Sequence, residues 1–324
     1  MKKEIVIGEN DCGQRLDRFL TKAFPSLKSG IINKAVRNKD IKINGKRTEA
    51  AYRLEKGDRL YMFFPDSLIE PKSLDPDDFM KAADMLNILY EDDNIILTDK
   101  EQGLVVHSDN DGTADTLINR IKKYLFVKGE YDPKKENAFA PALCNRIDRN
   151  TCGIVIAAKN AEALRILNEK IKNRELSKKY ICIAVGELPK KEDTLTAYLQ
   201  KDSDANQVKI SNNKTPQNLT IKTKYKVLDC CNGLSLVEID LLTGRTHQIR
   251  AHLAHIGHPL LGDGKYGSNR VNVKYGFDKQ ALCSYKLTFD FTTDGGALDY
   301  LNKKSFEVKN IPFRGFWNSL KLHK

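Results

Sequence analysis

Long apolar runs are missing from this chain: no stretch approaches the roughly 20 consecutive residues a helix needs to cross a bilayer. The opening Met1-Lys2-Lys3-Glu4-Ile5-Val6-Ile7-Gly8-Glu9-Asn10 turns charged too early for a secretory signal, so a cytoplasmic location is expected. Cysteine is sparse. The seven, at 12, 144, 152, 182, 230, 231 and 283, are odd in number and contain no CxxC pair, which favours reduced thiols over a disulfide frame. No P-loop occurs, which speaks against a phosphate-cradling nucleotide enzyme, and no GxSxG elbow, which speaks against a serine hydrolase. Repeats and low-complexity tracts are absent too, so an ordinary globular protein is the starting point.

What is present is charge, and it is unevenly placed. The formal net charge is +11, and residues 1–64 hold 15 Lys and Arg against 8 Asp and Glu. A compact basic unit suits a polyanion, because neutralised phosphates release their counterions. A merely solubilising surface is the alternative. At 324 residues the chain exceeds what one core usually organises, so more than one unit is expected.

The pattern divides the chain into residues 1–64, a linker at 65–84 and a larger unit at 85–324. In the first, Arg15-Leu16-Asp17-Arg18-Phe19-Leu20 opens an amphipathic helix and Ser29 to Arg37 a second, with Lys34 and Arg37 opposite Ile32 and Val36. Ile41-Lys42-Ile43-Asn44-Gly45-Lys46 reads as a hairpin, and a Gly57-Asp58 turn leads into another strand. Residues 65–84 are acidic, proline-bearing and aperiodic. Beyond them strands are expected at 86–90, 94–98, 154–158, 180–185, 221–228, 235–241 and 284–291, and helices at 113–124, 160–173 and 246–256. Strands that mostly do not alternate with helices predict an α+β fold around a mainly antiparallel sheet.

Two segments concentrate chemistry. In Asn145-Arg146-Ile147-Asp148-Arg149-Asn150-Thr151 a carboxylate lies between two arginines, just ahead of the apolar strand Ile154–Ala158. Loops placed by a rigid strand often carry catalytic groups, and flanking cations keep a carboxylate ionised. On the residues alone, a structural turn with surface ion pairs fits as well. The second segment, residues 242–267, has Thr243 or Thr246 placed to cap a helix that Gly257 and Pro259 end. Its histidines 247, 252, 255 and 258, with Asp263, invite a metal, but the spacing is not HExxH and no cysteine lies near. No metal is expected.

Taken together, these segments resemble the RluA-type pseudouridine synthases. The resemblance rests on Arg146-Ile147-Asp148-Arg149-Asn150-Thr151-Cys152-Gly153, on Lys178-Lys179-Tyr180-Ile181-Cys182-Ile183-Ala184-Val185-Gly186, and on Thr243 to Leu253 continuing into Gly257-His258-Pro259 and Gly262-Asp263. The first unit resembles the small RNA-binding domain of the ribosomal protein S-four type, which implies Arg15, Arg18, Lys34 and Arg37 as RNA contacts. The larger unit would then be a pseudouridine synthase catalytic domain with a central, mainly antiparallel mixed sheet. The family departs here at Asn145, where His is usual, at Ile147 and Cys152, and at residues 98–102, where Asn-Lys-Pro is usual.

The resemblance implies isomerisation of specific uridines in RNA, most often of the large ribosomal subunit, after the base is turned out of its stack. It implies Asp148, Tyr180 and Arg250 as catalytic residues: the carboxylate acts at the sugar, the tyrosine stacks on uracil, and the arginine is the buried cation the carboxylate needs. Arg146, Thr151, Arg245, His247 and Gln248 are implied in substrate or RNA binding, His247 and Gln248 chiefly through hydrogen bonds that orient their loop. No cofactor is implied, RNA is the implied partner, and a monomer is expected. A catalytically silent RNA-binding protein on the same fold and a metal hydrolase built on the histidines are the competing readings.

Overall fold

A computed structural model describes residues 2–69, 79–108, 112–202 and 207–322. Residues 2–69 build a small sheet under two helices: β1 (Lys2–Val6), α1 (Leu16–Ala23), α2 (Ser29–Asn38), β2 (Ile41–Ile43), β3 (Lys46–Arg47) and β4 (Arg59–Phe63), in strand order β1-β4-β2-β3. Helix α1 buries Leu16, Phe19, Leu20 and Ala23, and α2 buries Ile32, Ala35 and Val36, leaving Lys34 and Arg37 outside. Asn44 and Gly45 both take positive φ between β2 and β3, as a mirror-image hairpin turn requires. Strand β1 lies outside the expected elements, because Lys2-Lys3-Glu4 reads as a polar lead-in until Ile5 and Ile7 are seen buried, with β1 paired to β4.

This small unit is fastened to the rest by polar contacts. Asn10 donates to Glu136 (2.8 Å) and accepts from the Ala161 N–H, Asn137 donates to Asp11 (2.7 Å), and Arg165 donates to the Cys12 carbonyl (2.9 Å). Of the expected linker, Asp66–Leu68 forms a single 3₁₀ turn and Ile69 is buried; its residues 70–78 lie outside the described residues.

The larger unit runs β5 (Ile88–Glu91), β6 (Ile95–Lys100), α3 (Leu117–Val127), β7 (Ala142–Leu143), β8 (Cys152–Ala158), α4 (Ala161–Lys172), β9 (Leu176–Val185), β10 (Glu192–Asp202), β11 (Gln207–Ser211), β12 (Leu219–Cys231), β13 (Leu234–Asp240), α5 (Gln248–His255), α6 (Asn269–Tyr275), β14 (Leu282–Phe289), β15 (Ser305–Glu307) and α7 (Arg314–Leu322). Its 11-stranded sheet has the order β11-β10-β12-β13-β9-β14-β8-β6-β5, with β7 on β8 and β15 on β14. The protein is thus α+β, with a large mixed sheet and a small antiparallel one. Among the described residues no helix is long and apolar enough to cross a membrane.

Successive side chains of a strand face opposite sides, and here the two sides are different places. Ile154, Ile156, Ile181 and Ile183 face a core closed by α4 and α7, where Leu167 and Trp317 pack. Val155, Ala157, Tyr180 and Cys182 face the other core with Ile147, Ile249 and Leu253. That second face holds the candidate site.

Among the described residues, every strand pairing in the large sheet is antiparallel except β8 with β14, where Cys152 lies opposite Cys283 and Gly153 opposite Ser284. The two strands meet tightly. Gly153 has φ 107°, and a Cβ there would stand 2.3 Å from the Ser284 carbonyl oxygen. Gly153→Ala should therefore lower stability by about 2–4 kcal/mol, combining backbone strain with forced separation of the strands. A fall in the urea midpoint with unchanged slope would show it.

Several elements depart from expectation. The hairpin β10–β11, with helices α6 and α7, falls in stretches where no element is expected; β10 turns only Ala197 and Leu199 fully inward among its charged and hydroxyl residues. Helix α5 starts later than expected, at Gln248, and neither threonine caps it: His247 is the capping position, with φ 53° and no side-chain cap. Thr243 instead donates to the Gln248 side chain (2.9 Å).

Candidate active site

Asp148 stands in the turn between β7 and β8. The Thr151 N–H donates to the Asp148 carbonyl (3.0 Å), which closes the turn. Asn145, where His is usual, is tied to β8: its Oδ1 accepts from the Ile156 N–H (2.8 Å) and its Nδ2 donates to the Ile154 carbonyl (3.4 Å). The residue fixes the start of the loop to the strand that carries it.

The unusual segment 98–102 fixes the other end. Lys100 is buried, and its ammonium donates to the carbonyls of Glu101 (2.7 Å), Leu104 (2.7 Å) and Arg149 (2.8 Å). Burial pushes its pKa down to about 8. Gln102 donates to the carbonyls of Asn150 (3.1 Å) and Gln280 (2.9 Å), and Gln280 in turn donates to the Thr151 hydroxyl (3.2 Å). Glu101 accepts from Arg120 (2.8 Å), which Asp115 also holds. Side-chain bonds to backbone thus stand where a proline would stiffen the chain.

Above this loop lies Arg250, on α5. It is buried, with Asp263 on one side and Asp148 on the other. Nε and Nη2 donate to the two Asp263 oxygens (2.7 and 2.8 Å), a bidentate pair, and Nη1 donates to Asp148 Oδ2 (2.9 Å). Asp263 is fully buried and also accepts from the N–H groups of Lys265 (2.9 Å) and Tyr266 (3.2 Å). Burial opposes charge on both partners; mutual attraction outweighs it, holding the Asp263 carboxyl below its ordinary value and Arg250 above its own. The Tyr266 ring lies 5.3 Å from the guanidinium. Asp148 keeps 24 % side-chain exposure, and among the described residues Oδ1 receives no hydrogen bond. One oxygen is anchored, the other open.

Tyr180 projects from β9 onto the same face and is buried. Burial raises its pKa to about 12, with the Asp148 charge adding to the rise while a bond with Ser284 lowers it. At neutral pH the phenol is a hydrogen-bond donor, not a base.

The other expected site residues separate into two groups. Arg146 and Arg245 are exposed. Thr151 and Gln248 are buried and engaged: Gln248 accepts from Thr243 and the Arg245 N–H and donates to the Lys222 carbonyl and Thr223, so it shapes the turn, as Thr151 does. His247 is half-buried between Asp148 and Tyr266. The small N-terminal unit carries Arg15, Arg18, Lys34 and Arg37, all exposed, Arg15 being held by Asp17.

The four histidines diverge. His247 meets Tyr266, His252 meets Thr223, His255 meets Asn212 and His258 meets the Val185 carbonyl. Gly262, Gly264 and Gly267 happen to fall at dinucleotide-fingerprint spacing. No strand–turn–helix of a nucleotide site surrounds them: the turn wraps Asp263, and Gly262 is pressed against the Lys279 carbonyl. Asp263, Tyr266, Lys100 and Gln280 are the site-building residues that sequence reasoning left without these roles.

A model of the RNA pseudouridylate synthase family matches residues 94–255, a span that takes in the Asp148 loop, Tyr180 and helix α5. The chain belongs to that family, and it is an RNA pseudouridine synthase. An uncharacterized RNA pseudouridine synthase of Mycoplasma genitalium is 34% identical over 285 residues, 85% of either chain. Ribosomal large subunit pseudouridine synthase C of Vibrio vulnificus is 30% identical over 296 residues, 89% of either chain. In fold, the chain is similar to the solved human RNA pseudouridylate synthase domain containing 4, with TM-score 0.55 and 22% identity over 72% of this chain and 92% of that one.

Proposed function

We propose that this enzyme isomerises uridine in large-subunit ribosomal RNA, with Asp148 as the reacting carboxylate. The observation that carries the reading is the division of labour on that side chain: Arg250 holds Oδ2 at 2.9 Å, while Oδ1 is left open. A carboxylate held in this way presents a single nucleophilic or basic oxygen. That oxygen serves either route, attack at C1′ or removal of the C2′ proton. In both, the N1–C1′ bond breaks, the uracil turns, C5 bonds to C1′, and the C5 proton leaves.

Tyr180 supplies an aromatic face and a protonated phenol beside the carboxylate, suited to stacking on uracil and donating a hydrogen bond. Arg146 and Arg245, both exposed, are suited to phosphates flanking an extruded nucleotide. The substrate assignment follows from the relatives that act on the large subunit, and from the N-terminal unit. We read residues 1–64 as an S-four-type RNA-binding domain, joined by residues 65–84 to a catalytic domain over 85–324. Two short helices over an antiparallel sheet, with Arg18, Lys34 and Arg37 exposed, support this reading.

The experiment uses RNA made with 5-tritiated uridine, since isomerisation releases the label. In chelator, with no added metal, the protein should release tritium from large-subunit ribosomal RNA taken from cells lacking the gene. Release from transfer RNA in its place would overturn the substrate assignment, and release only after metal is restored would overturn the unassisted carboxylate mechanism.

A further inference from the structure

Beside Arg250, a second side chain addresses the carboxylate. His247 Nε2 lies 4.0 Å from Asp148 Oδ2, the oxygen Arg250 already holds. Its other nitrogen, Nδ1, meets the Tyr266 hydroxyl at 2.9 Å, and that hydroxyl accepts from the Val208 N–H at 2.9 Å. Val208 belongs to β11, the edge strand of the large sheet, and its N–H faces away from β10.

The Tyr266 oxygen accepts the Val208 proton and can give its own to Nδ1, the nitrogen at hand. A neutral His247 in that arrangement carries its proton on Nε2, the nitrogen turned toward Asp148. Desolvation supports the neutral form, lowering the pKa of His247 against the pull of Asp148.

The backbone adds a separate sign. His247 sits at φ 53°, a left-handed conformation uncommon outside glycine. Such a position persists where the surroundings impose it, and here the ring lies between Tyr266 and Asp148.

We propose that His247 is a positioning residue for Asp148: Tyr266, anchored on the edge strand β11, holds the imidazole, and its Nε2 stands 4.0 Å from Oδ2, the oxygen Arg250 bonds, so that Oδ1 alone meets the ribose. The proposal rests on the reading of Asp148 as the reacting carboxylate. It gives the β10–β11 hairpin a direct line to the reaction: strand edge, phenol, imidazole, carboxylate.

The test is single-turnover tritium release at saturating protein, with RNA affinity and Tm measured on the same variants. His247→Ala should slow release about 10–100-fold, the scale on which partners that orient a reactive group act, while RNA Kd stays unchanged. His247→Gln, which can return an N–H near the same place, should recover most of the loss. Tyr266→Phe keeps the ring on Arg250 but loses the hydroxyl; it should slow release as well, and adding it to His247→Ala should cost nothing more. If the alanine variant folds poorly, His247→Leu takes its place in the same comparison.

Full activity in His247→Ala overturns the proposal. So does a loss of RNA affinity that accounts for the slowed rate, and so does a double variant in which the two losses multiply. Asp148→Asn, run alongside, separates the two levels. If it stays active, the reading of Asp148 has failed; if it is dead while His247→Ala is fully active, only the role of His247 has failed.

Discussion

RNA carrying tritium at uridine C5 should lose no label above background when Asp148 is replaced by asparagine, a drop of at least about 10⁴-fold, as expected on removal of the carboxylate proposed to react. The substitution is chosen because it disturbs little else. The amide that replaces the carboxylate would still offer Arg250 an oxygen. The loop backbone is held by Lys100, Gln102 and Asn145 rather than by the carboxylate, and Asp148 is partly exposed. RNA affinity and the thermal midpoint should therefore stay close to those of the unmodified protein. A variant that still releases tritium, with folding and RNA binding intact, would remove Asp148 from the chemistry and send the search to another carboxylate.

Arg250 is expected to matter twice over. Arg250→Met strands Asp263, fully buried and bonded to two guanidinium nitrogens, with no cation to answer it. Breaking such a pair costs about 3–5 kcal/mol, and activity should vanish as Asp148 loses its anchor. Adding Asp263→Asn separates the two effects. With the stranded charge gone, much of the stability should return, and the enzyme should stay inactive because Asp148 is still unheld. Urea denaturation and tritium release on the three proteins read this out.

The same pair gives a pH signature. In the native protein the Asp263 carboxyl is held below its ordinary value, so its stabilising contribution is complete at neutral pH and is lost only in acid, through that lowered value. In Arg250→Met the buried, unpaired carboxyl shifts upward and takes a proton sooner. The stability gap between the two proteins should therefore narrow below about pH 5. A gap that stays constant into acid would mean that Asp263 is not the source of the loss.

The strands of the candidate-site face are legible, and so are the positions of the three residues expected to act on uridine, because each carries a local signal. Asp148 precedes an apolar strand, Tyr180 sits inside one, and Arg250 lies on a helix that ends near Gly257. What stays illegible is what holds these residues. Asp263 reaches Arg250 across a turn by a bidentate geometry that spacing does not encode. Lys100 in Thr-Asp-Lys-Glu-Gln looks like a surface lysine, and only the fold reveals the three carbonyls around it. Asn145 reads as a loss beside the usual histidine, yet it is a strand anchor. The hairpin β10–β11 escapes the pattern because Lys, Glu and Thr on its open face dilute the alternation that marks a strand. Its few inward residues are buried against a helix distant in sequence.

The parallel pairing of β8 with β14 has a consequence in time. Cys152, next to the Asp148 loop, bonds to Leu282, 130 residues further along, and Arg250 follows Asp148 by 102. As synthesis proceeds from the N-terminus, the small basic N-terminal unit can fold first. The carboxylate meanwhile waits without its cation, and β8 without the strand that seats it. A nascent chain halted before β14 would carry the Asp148 loop with β8 still lacking its parallel partner.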